Sequence, residues 1–406
     1  MLRLDKADLE TRSRPGPRGP GSPNRAVPRF AVHDGKAMKT YDRTRREFVQ
    51  TTSKGLSAAF VLTQTAALSS ACARKPDREI GFAVAGVGRL TTNHIAPALR
   101  ETKHARLTGV ISGTPAKAMA LAEAYEVPHG NIYDYETMER LGQNPDIDVV
   151  YVATPNGLHR EHTIRAARAG KHVFCEKPMA VSVAECEEMI AECSAAGVKL
   201  VVGYRCQFEP HHLECMRLAR EKQFGEVKLI ESGFGFRLTH GWRLRKDLAG
   251  GGALVDAGIY AIQACRYISG QEPVEASAFE AKTVPARFAE VDESITWQMR
   301  FPGGILASCS ASYNVQGMNR LRVYGEEGWF GLERAFAYNG LEGRRMDGKP
   351  LRFDHVNHFA TEMDDFALCI LEDRDSRVSG EEGKRDLAVI EAIYESIRRD
   401  RPISLA

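Results

Sequence analysis

The chain has 406 residues, 43% of them hydrophobic and 27% charged, with a formal net charge of +2. That apolar content suffices for two domains with cores of their own, and the near-neutral balance points to neither a nucleic-acid nor an acidic partner. The nine cysteines form no C-x-x-C pair and sit mostly in apolar segments, so buried thiols and no metal site are expected.

Residues 1–37 are rich in Pro, Arg and Gly with little apolar periodicity; they read as disordered, and Met38 offers an alternative start. Residues 38–73 have the order of an export signal: a charged start with Arg45-Arg46, a mildly apolar stretch from Leu56 to Leu68, then Ala71-Cys72-Ala73 of A-x-A type. The arginine pair marks the twin-arginine type and implies a periplasmic protein. The apolar stretch is too short and too polar to span a bilayer. Cleavage after Ala71 or Ala73 is expected rather than lipidation of Cys72, because Ser69 stands where a lipoprotein signal has an aliphatic residue. A folded chain exported this way carries its cofactor along.

Residues 79–204 alternate strand and helix, which predicts a doubly wound parallel sheet. In the stretch from Glu79 to Thr91 an apolar strand meets Gly86-x-Gly88 and opens a helical pattern through Leu99, the arrangement by which helix N-terminal amides receive a pyrophosphate. Thr91 stands where a third Gly or Ala is usual. The next strand, Arg106 to Ser112, follows at the spacing of a βαβ unit. At its end an NAD enzyme would place an acid, whereas here Ser112 and Lys117 supply a hydroxyl and a cation. That favours a 2′-phosphate, hence NADP; the alternative is a surface turn with an incidental lysine. Helix Ala116–Tyr125, strand Ile147–Ala153, helix Arg160–Ala169, strand Val173–Cys175, helix Val183–Ala196 and strand Lys199–Val202 continue the alternation. Asn156 and His159, after one of these strands, either face a nicotinamide or cap the next helix. Lys177, held before Pro178 at a strand's carboxyl end, is placed to polarise an oxygen or act as an acid; otherwise it is a solvated lysine after an edge strand.

Residues 205–402 change character. Strand-like segments at Glu226–Gly233, Glu275–Lys282, Asp292–Phe301, Gly304–Tyr313 and Asn319–Tyr324 predict an α+β domain with a large, mostly antiparallel open sheet. An uncovered face of that sheet favours oligomerisation. After Gly250-Gly251-Gly252 a helix apolar on most sides runs to about Ile268, with Asp256, Tyr260, Gln263 and Tyr267 on one stripe. That stripe lines a polar cavity or is satisfied as a core network.

Gly86-x-Gly88, Thr154-Pro155-Asn156-x-x-His159, Cys175-Glu176-Lys177-Pro178 and Gly251-Gly252-x-x-x-Asp256-x-Gly258-x-Tyr260 resemble, in order and spacing, the glucose-fructose oxidoreductase/inositol dehydrogenase/MocA family, over about Glu79 to Pro402. Val201–Cys206, Trp242–Arg245 and Ile295–Phe301 look most like its periplasmic glucose-fructose oxidoreductase branch. The resemblance implies a base at Tyr260, a cation at Lys177 that brings the phenol down from ~10, and Asp256 orienting the substrate hydroxyl or the lysine. It implies a cofactor site at Gly86, Gly88, Arg89, Leu90, Ser112, Lys117, Tyr135, Thr154, Asn156, His159, Glu176 and Lys177. Arg205, Trp242 and Arg243 either contact sugar hydroxyls or pin loops between domains. In that branch NADP stays bound while one sugar is oxidised to its lactone and a second is reduced. The proline-rich arm that wraps the nucleotide there has no counterpart, since only Arg74–Arg78 separates the expected cleavage site from Glu79; cofactor retention and the choice of homodimer or homotetramer stay open. The expected activity is an NADP-dependent sugar oxidoreductase passing hydride from an aldose to fructose or another aldose. A simple aldose or inositol-type dehydrogenase and a non-catalytic sugar- or nucleotide-binding protein are the alternatives.

Overall fold

The computed structural model describes residues 78–405; the expected disordered segment 1–37 and export signal 38–73 lie outside the described residues. Six strands, β1 (Ile80–Ala85), β2 (Ala105–Ile111), β3 (Ile132–Tyr133), β4 (Val149–Val152), β5 (His172–Cys175) and β6 (Leu200–Val202), form a parallel sheet in the order β3-β2-β1-β4-β5-β6. They are joined through α1 (Ala96–Ala98), α2 (Pro115–Ala124), α3 (His159–Arg168) and α4 (Val183–Ala195), with 3-10 turns on either side of β3. β1 and β4 are buried along their whole length. Covered on both faces, they read as unbroken apolar runs rather than alternating ones. The chain turns outward in opposite directions from β1 and β4, and at such a switch point the carboxyl ends of the strands open a crevice. Gly86 follows β1, Thr154 follows β4 and Lys177 follows β5, so the three motifs share one crevice.

The second sheet has eight strands, β7 (Val227–Gly235), β8 (Glu275–Ala281), β9 (Ser294–Arg300), β10 (Leu306–Ser312), β11 (Met318–Gly325), β12 (Gly328–Glu333), β13 (Glu342–Arg345) and β14 (Ile403–Ser404). Their order is β13-β12-β11-β7-β10-β9-β8-β14, with β7 and β10 parallel and the other pairs antiparallel. Alternation predicts the central strands. β12, β13 and β14 extend the sheet beyond that pattern, because Gly331, the polar run Glu342–Arg345 and a two-residue strand carry no period-2 signal. The helices of this half are α5 (Pro210–Arg220), α6 (Lys246–Ala249), α7 (Ile259–Ser269), α8 (His358–Leu371) and α9 (Gly380–Arg399). One sheet face is covered by α7, on β7 and β10, and by α9, on β8. The other leaves Leu229, Phe279 and Leu306 exposed.

The chain's last helices return to the first sheet. Phe366 of α8 packs edge-on to Phe174 of β5, and the Val202 amide donates to Val378 O at 2.9 Å. The two halves are therefore stapled by the chain's end as well as by Arg205–Gln207, the turn between them.

The helix that carries Asp256 and Tyr260 departs from expectation. It starts as a π turn, Leu254–Gly258, before α7 takes over. Asp292 fixes that start by accepting from the Gly252 amide at 2.7 Å and the Leu254 amide at 2.8 Å. Only glycine fits at 252, since an added Cβ would lie 2.1 Å from Asp292 O. The expected stripe divides in two. Asp256 and Tyr260 reach the crevice, whereas Gln263 donates to Asp386 at 2.9 Å in a buried network that also holds Arg266. Lys246–Ser269 has the length and mean hydropathy of a membrane span, 1.2, yet 83% of its most apolar window is buried, as befits a core helix.

Candidate active site

The glycine turn after β1 has the shape of a dinucleotide cradle. Gly86 has φ +102°, and an added Cβ there would lie 2.7 Å from Ala153 O. At Gly88 an added Cβ would meet nothing within 4 Å, so a ligand can approach the backbone. Thr91, in place of a third glycine, donates its hydroxyl to the Gly86 carbonyl and closes the turn from inside. Ser112 and Lys117 stand together after β2: the Ser112 hydroxyl accepts from the Thr114 amide at 3.1 Å, and Lys117 is exposed on the first turn of α2. Arg89 is exposed beside Gly88, Leu90 is half-buried, and Tyr135 stacks on His162 at 4.6 Å while its ring closes on Gly113. These residues fit a pyrophosphate and, with an uncommitted lysine in place of an acid, a 2′-phosphate. Gly86→Ala is expected to weaken NADP affinity by at least about tenfold, from positive-φ strain and the Ala153 clash; titration of NADPH fluorescence measures it.

Where the crevice meets the second half, Asp256 gathers three donors. Lys177 Nζ donates to its Oδ1 at 3.1 Å and to its backbone oxygen at 2.8 Å; Arg243 Nε and the Tyr313 hydroxyl donate to Oδ2 at 2.8 and 3.0 Å. Burial alone would raise the Asp256 pKa, but Lys177 and Arg243 outweigh it and hold the carboxyl well below the usual range. Tyr260 lies one turn on, its ring 4.6 Å from Lys177 Nζ and 4.9 Å from the Arg205 guanidinium carbon. Its hydroxyl accepts from Arg205 Nε at 3.3 Å. Phe234 and Phe336 close on the ring at 5.7 and 5.5 Å.

This geometry corrects one expectation. The cation at the Tyr260 oxygen is Arg205; Lys177 lies over the ring and is paired with Asp256. Burial raises the phenol above its ordinary pKa and Arg205 offsets only part of that, so Tyr260 is held protonated.

Other candidates are turned to structural work. The Glu176 carboxylate points into the core, accepting from the Tyr151 hydroxyl at 2.8 Å, and burial pushes its pKa up. His159 neither caps a helix nor faces the crevice: a ring nitrogen lies 2.8 Å from each of the carbonyl oxygens of Thr154 and Pro178, buckling two motif loops together. The Thr154 hydroxyl lies 3.0 Å from His162 Nδ1. Asn156 donates to Ala249 O at 2.9 Å, tying the loop after β4 to α6. Arg205, 3% exposed, donates to the carbonyls of Phe336 at 2.6 Å and Ala337 at 3.3 Å, which is the loop-pinning role. Trp242 stacks under Arg243 at 4.5 Å, so this pair stands at the mouth of the site. Sequence reasoning missed Tyr313, Phe336 and Tyr338. Tyr313 had a signal, since it is the last residue of a predicted strand; the other two lie in an irregular segment after β12.

Family models match in succession, one for an oxidoreductase family with an NAD-binding Rossmann fold over residues 80–204 and one for the GFO/IDH/MocA C-terminal domain over residues 212–331. The crystal structure of aldose-aldose oxidoreductase from Caulobacter crescentus, complexed with glycerol, superposes with a TM-score of 0.78 at 43% identity, over 80% of this chain and 100% of that one. The chain belongs to the GFO/IDH/MocA family. Another relative in sequence is the D-xylose 1-dehydrogenase [NADP(+)] of Haloarcula marismortui, 29% identical over 81% of this chain and 94% of that protein. The 1,5-anhydro-D-fructose reductase of Ensifer adhaerens is 30% identical over 50% of this chain and 62% of its own. Membership in the GFO/IDH/MocA family accounts for the pairing of a dinucleotide sheet with an open second sheet.

Proposed function

We propose that this protein is an NADP-dependent sugar oxidoreductase that oxidises an aldose at C1 to its lactone and delivers the hydride to a second sugar, fructose or another aldose. The observation that carries the reading is the juxtaposition of Tyr260, Lys177 and Asp256 at the crevice that begins with the Gly86-x-Gly88 cradle. The names of the relatives support it: two are NADP-dependent D-xylose 1-dehydrogenases, and one is an aldose-aldose oxidoreductase. NADP, when bound, takes up a hydride from carbon and gives it back. The chain supplies the rest. Lys177 donates to the sugar oxygen, and Asp256 fixes that ammonium and the Arg243 guanidinium at a set separation. The Tyr260 oxygen, ionised to the phenolate, takes the proton that leaves the sugar oxygen on oxidation, and the hydroxyl so formed returns it to the acceptor's carbonyl oxygen on reduction.

A base acts in its deprotonated form and an acid in its protonated form. Because burial holds the Tyr260 pKa above the ordinary phenol value, the oxidation half-reaction is expected to quicken with rising pH across the neutral and mildly alkaline range. The reduction half-reaction should stay level over the same range. Single-turnover rates for each half, measured separately, check this; an oxidation rate that does not respond to pH assigns the proton transfer to another group.

The twin-arginine signal expected over residues 38–73 supports a periplasmic location, where a cofactor recycled in place avoids dependence on free NADP. The sheet face with Leu229, Phe279 and Leu306 is the surface through which two or four copies would associate. The test of the reaction is product balance. Purified protein given one aldose and no nucleotide should accumulate aldonate, from the lactone, and alditol in equal amounts. Aldonate formed only in proportion to added NADP would instead establish a simple dehydrogenase.

A further inference from the structure

Between β12 and β13 the chain leaves the sheet and crosses to the dinucleotide-binding half. Its backbone is fixed from both sides on the way. Asn319 Oδ1 accepts from the Phe336 amide at 2.7 Å, while Arg205 donates to the carbonyls of Phe336 and Ala337. The next residue is Tyr338. Its ring sits 4.2 Å from the imidazole of His94 and 4.7 Å from the Arg205 guanidinium carbon. His94 belongs to the π turn Thr91–Ile95 on the helix opened by the glycine cradle. Phe359, on the first turn of α8, lies 5.5 Å from both rings. Burial and Arg205 hold His94 below the ordinary imidazole pKa, so the ring that Tyr338 meets is neutral.

Tyr338 is 41% exposed, so core filling does not account for it. What distinguishes it is what it joins. One wall of the crevice is the dinucleotide half; the other is the second half with Asp256, Tyr260 and the Phe336–Tyr338 segment. Lys177 and Asp256 bridge the walls at the catalytic end. Tyr338 and His94 bridge them at the helix that leaves the cradle. We propose that the Tyr338–His94 contact is a latch that slows escape of the bound dinucleotide, making both side chains determinants of cofactor residence. This rests on the reading that NADP is the cofactor, and it supplies what a cycle with retained NADP requires.

The latch predicts a change in dissociation rate, since most affinity differences among variants of one site appear there. The experiment follows NADPH fluorescence after the loaded full chain is mixed with excess NADP, for wild type, Tyr338→Ala, Tyr338→Phe, His94→Ala and the Tyr338→Ala/His94→Ala double variant. Each alanine variant should release NADPH roughly three- to tenfold faster, the scale of one aromatic pair. The double variant should be no faster than the faster single one, because both remove the same contact. Tyr338→Phe keeps the ring and should stay within about twofold of wild type. Release from Tyr338→Ala at the wild-type rate, or single effects that multiply in the double variant, overturns the latch. If Tyr338→Ala does not fold, His94→Ala carries the same test from the other wall. The NADP content of purified wild type separates this inference from the reaction cycle. Wild type free of NADP, with variants still releasing added NADPH faster, leaves the latch standing and removes the cycle. Wild type carrying NADP, with unchanged release from the variants, does the reverse.

Discussion

Tyr260→Phe is expected to lower the rate of both half-reactions by about 10²–10⁴-fold, the range for loss of a positioned acid–base group, while NADP binding and the fold persist. The fold should persist because the substitution keeps the ring that packs on Phe234 and Phe336 and the face that meets Lys177. It removes only the oxygen that accepts from Arg205. Arg205 retains the Phe336 and Ala337 carbonyls, so the guanidinium is not left without partners. Pre-steady-state rates of NADPH formation and consumption read the effect. A variant with near wild-type rates would transfer the acid–base role to Lys177. A non-catalytic binder would have no turnover to lose and would keep its sugar affinity.

Asp256→Asn should cost both activity and stability. The carboxylate is 13% exposed and is the counter-charge of two cations. An amide of the same shape keeps one acceptor and loses the charge. Leaving the largely buried Lys177 ammonium without its counter-charge costs about 3–5 kcal/mol, Arg243 adding little because its side chain is 39% exposed, and release of Lys177 from its set position should lower kcat/KM roughly a hundredfold, the scale of an ångström's misplacement. The pH dependence has a definite sign. The folded pKa of Asp256 is depressed, so its contribution to stability is present above the unfolded carboxyl value of ~3.9 and is lost as pH falls through the folded value. Chemical denaturation from neutral pH into acid should show a large deficit in Asp256→Asn at neutral pH that narrows at the acid end. Equal stability of the two proteins at neutral pH would mean that the Lys177–Asp256–Arg243 cluster does not hold the halves together.

How much of this was legible in the sequence depended on how local each signal is. Gly86-x-Gly88 announces itself because a turn of that shape requires φ > 0 and open backbone at particular positions. Lys177, Asp256 and Tyr260 stand out as polar groups beside apolar runs, where a polar group needs a reason to be. The direction of a side chain is not local. Glu176 is adjacent to Lys177 in sequence yet turns the opposite way, toward Tyr151 on the neighbouring strand. Arg205 lies far in the chain from Tyr260 and from Phe336, and only the folding of the second sheet against α7 brings the three together. The stripe through Asp256, Tyr260, Gln263 and Tyr267 assumed one regular helix, and a π turn set by Asp292 broke the register. Tyr338 was hidden for the same reason as β13: neither has a period to betray it, and both are positioned by contacts distant in sequence.

The most direct test of a cycle with retained NADP is the near-ultraviolet absorbance of purified protein, with no nucleotide added, on mixing first with glucose and then with fructose or excess aldose. A rise is expected as the bound cofactor is reduced, then a fall as the second sugar takes the hydride. Absorbance that stays flat until NADP is supplied would contradict the cycle.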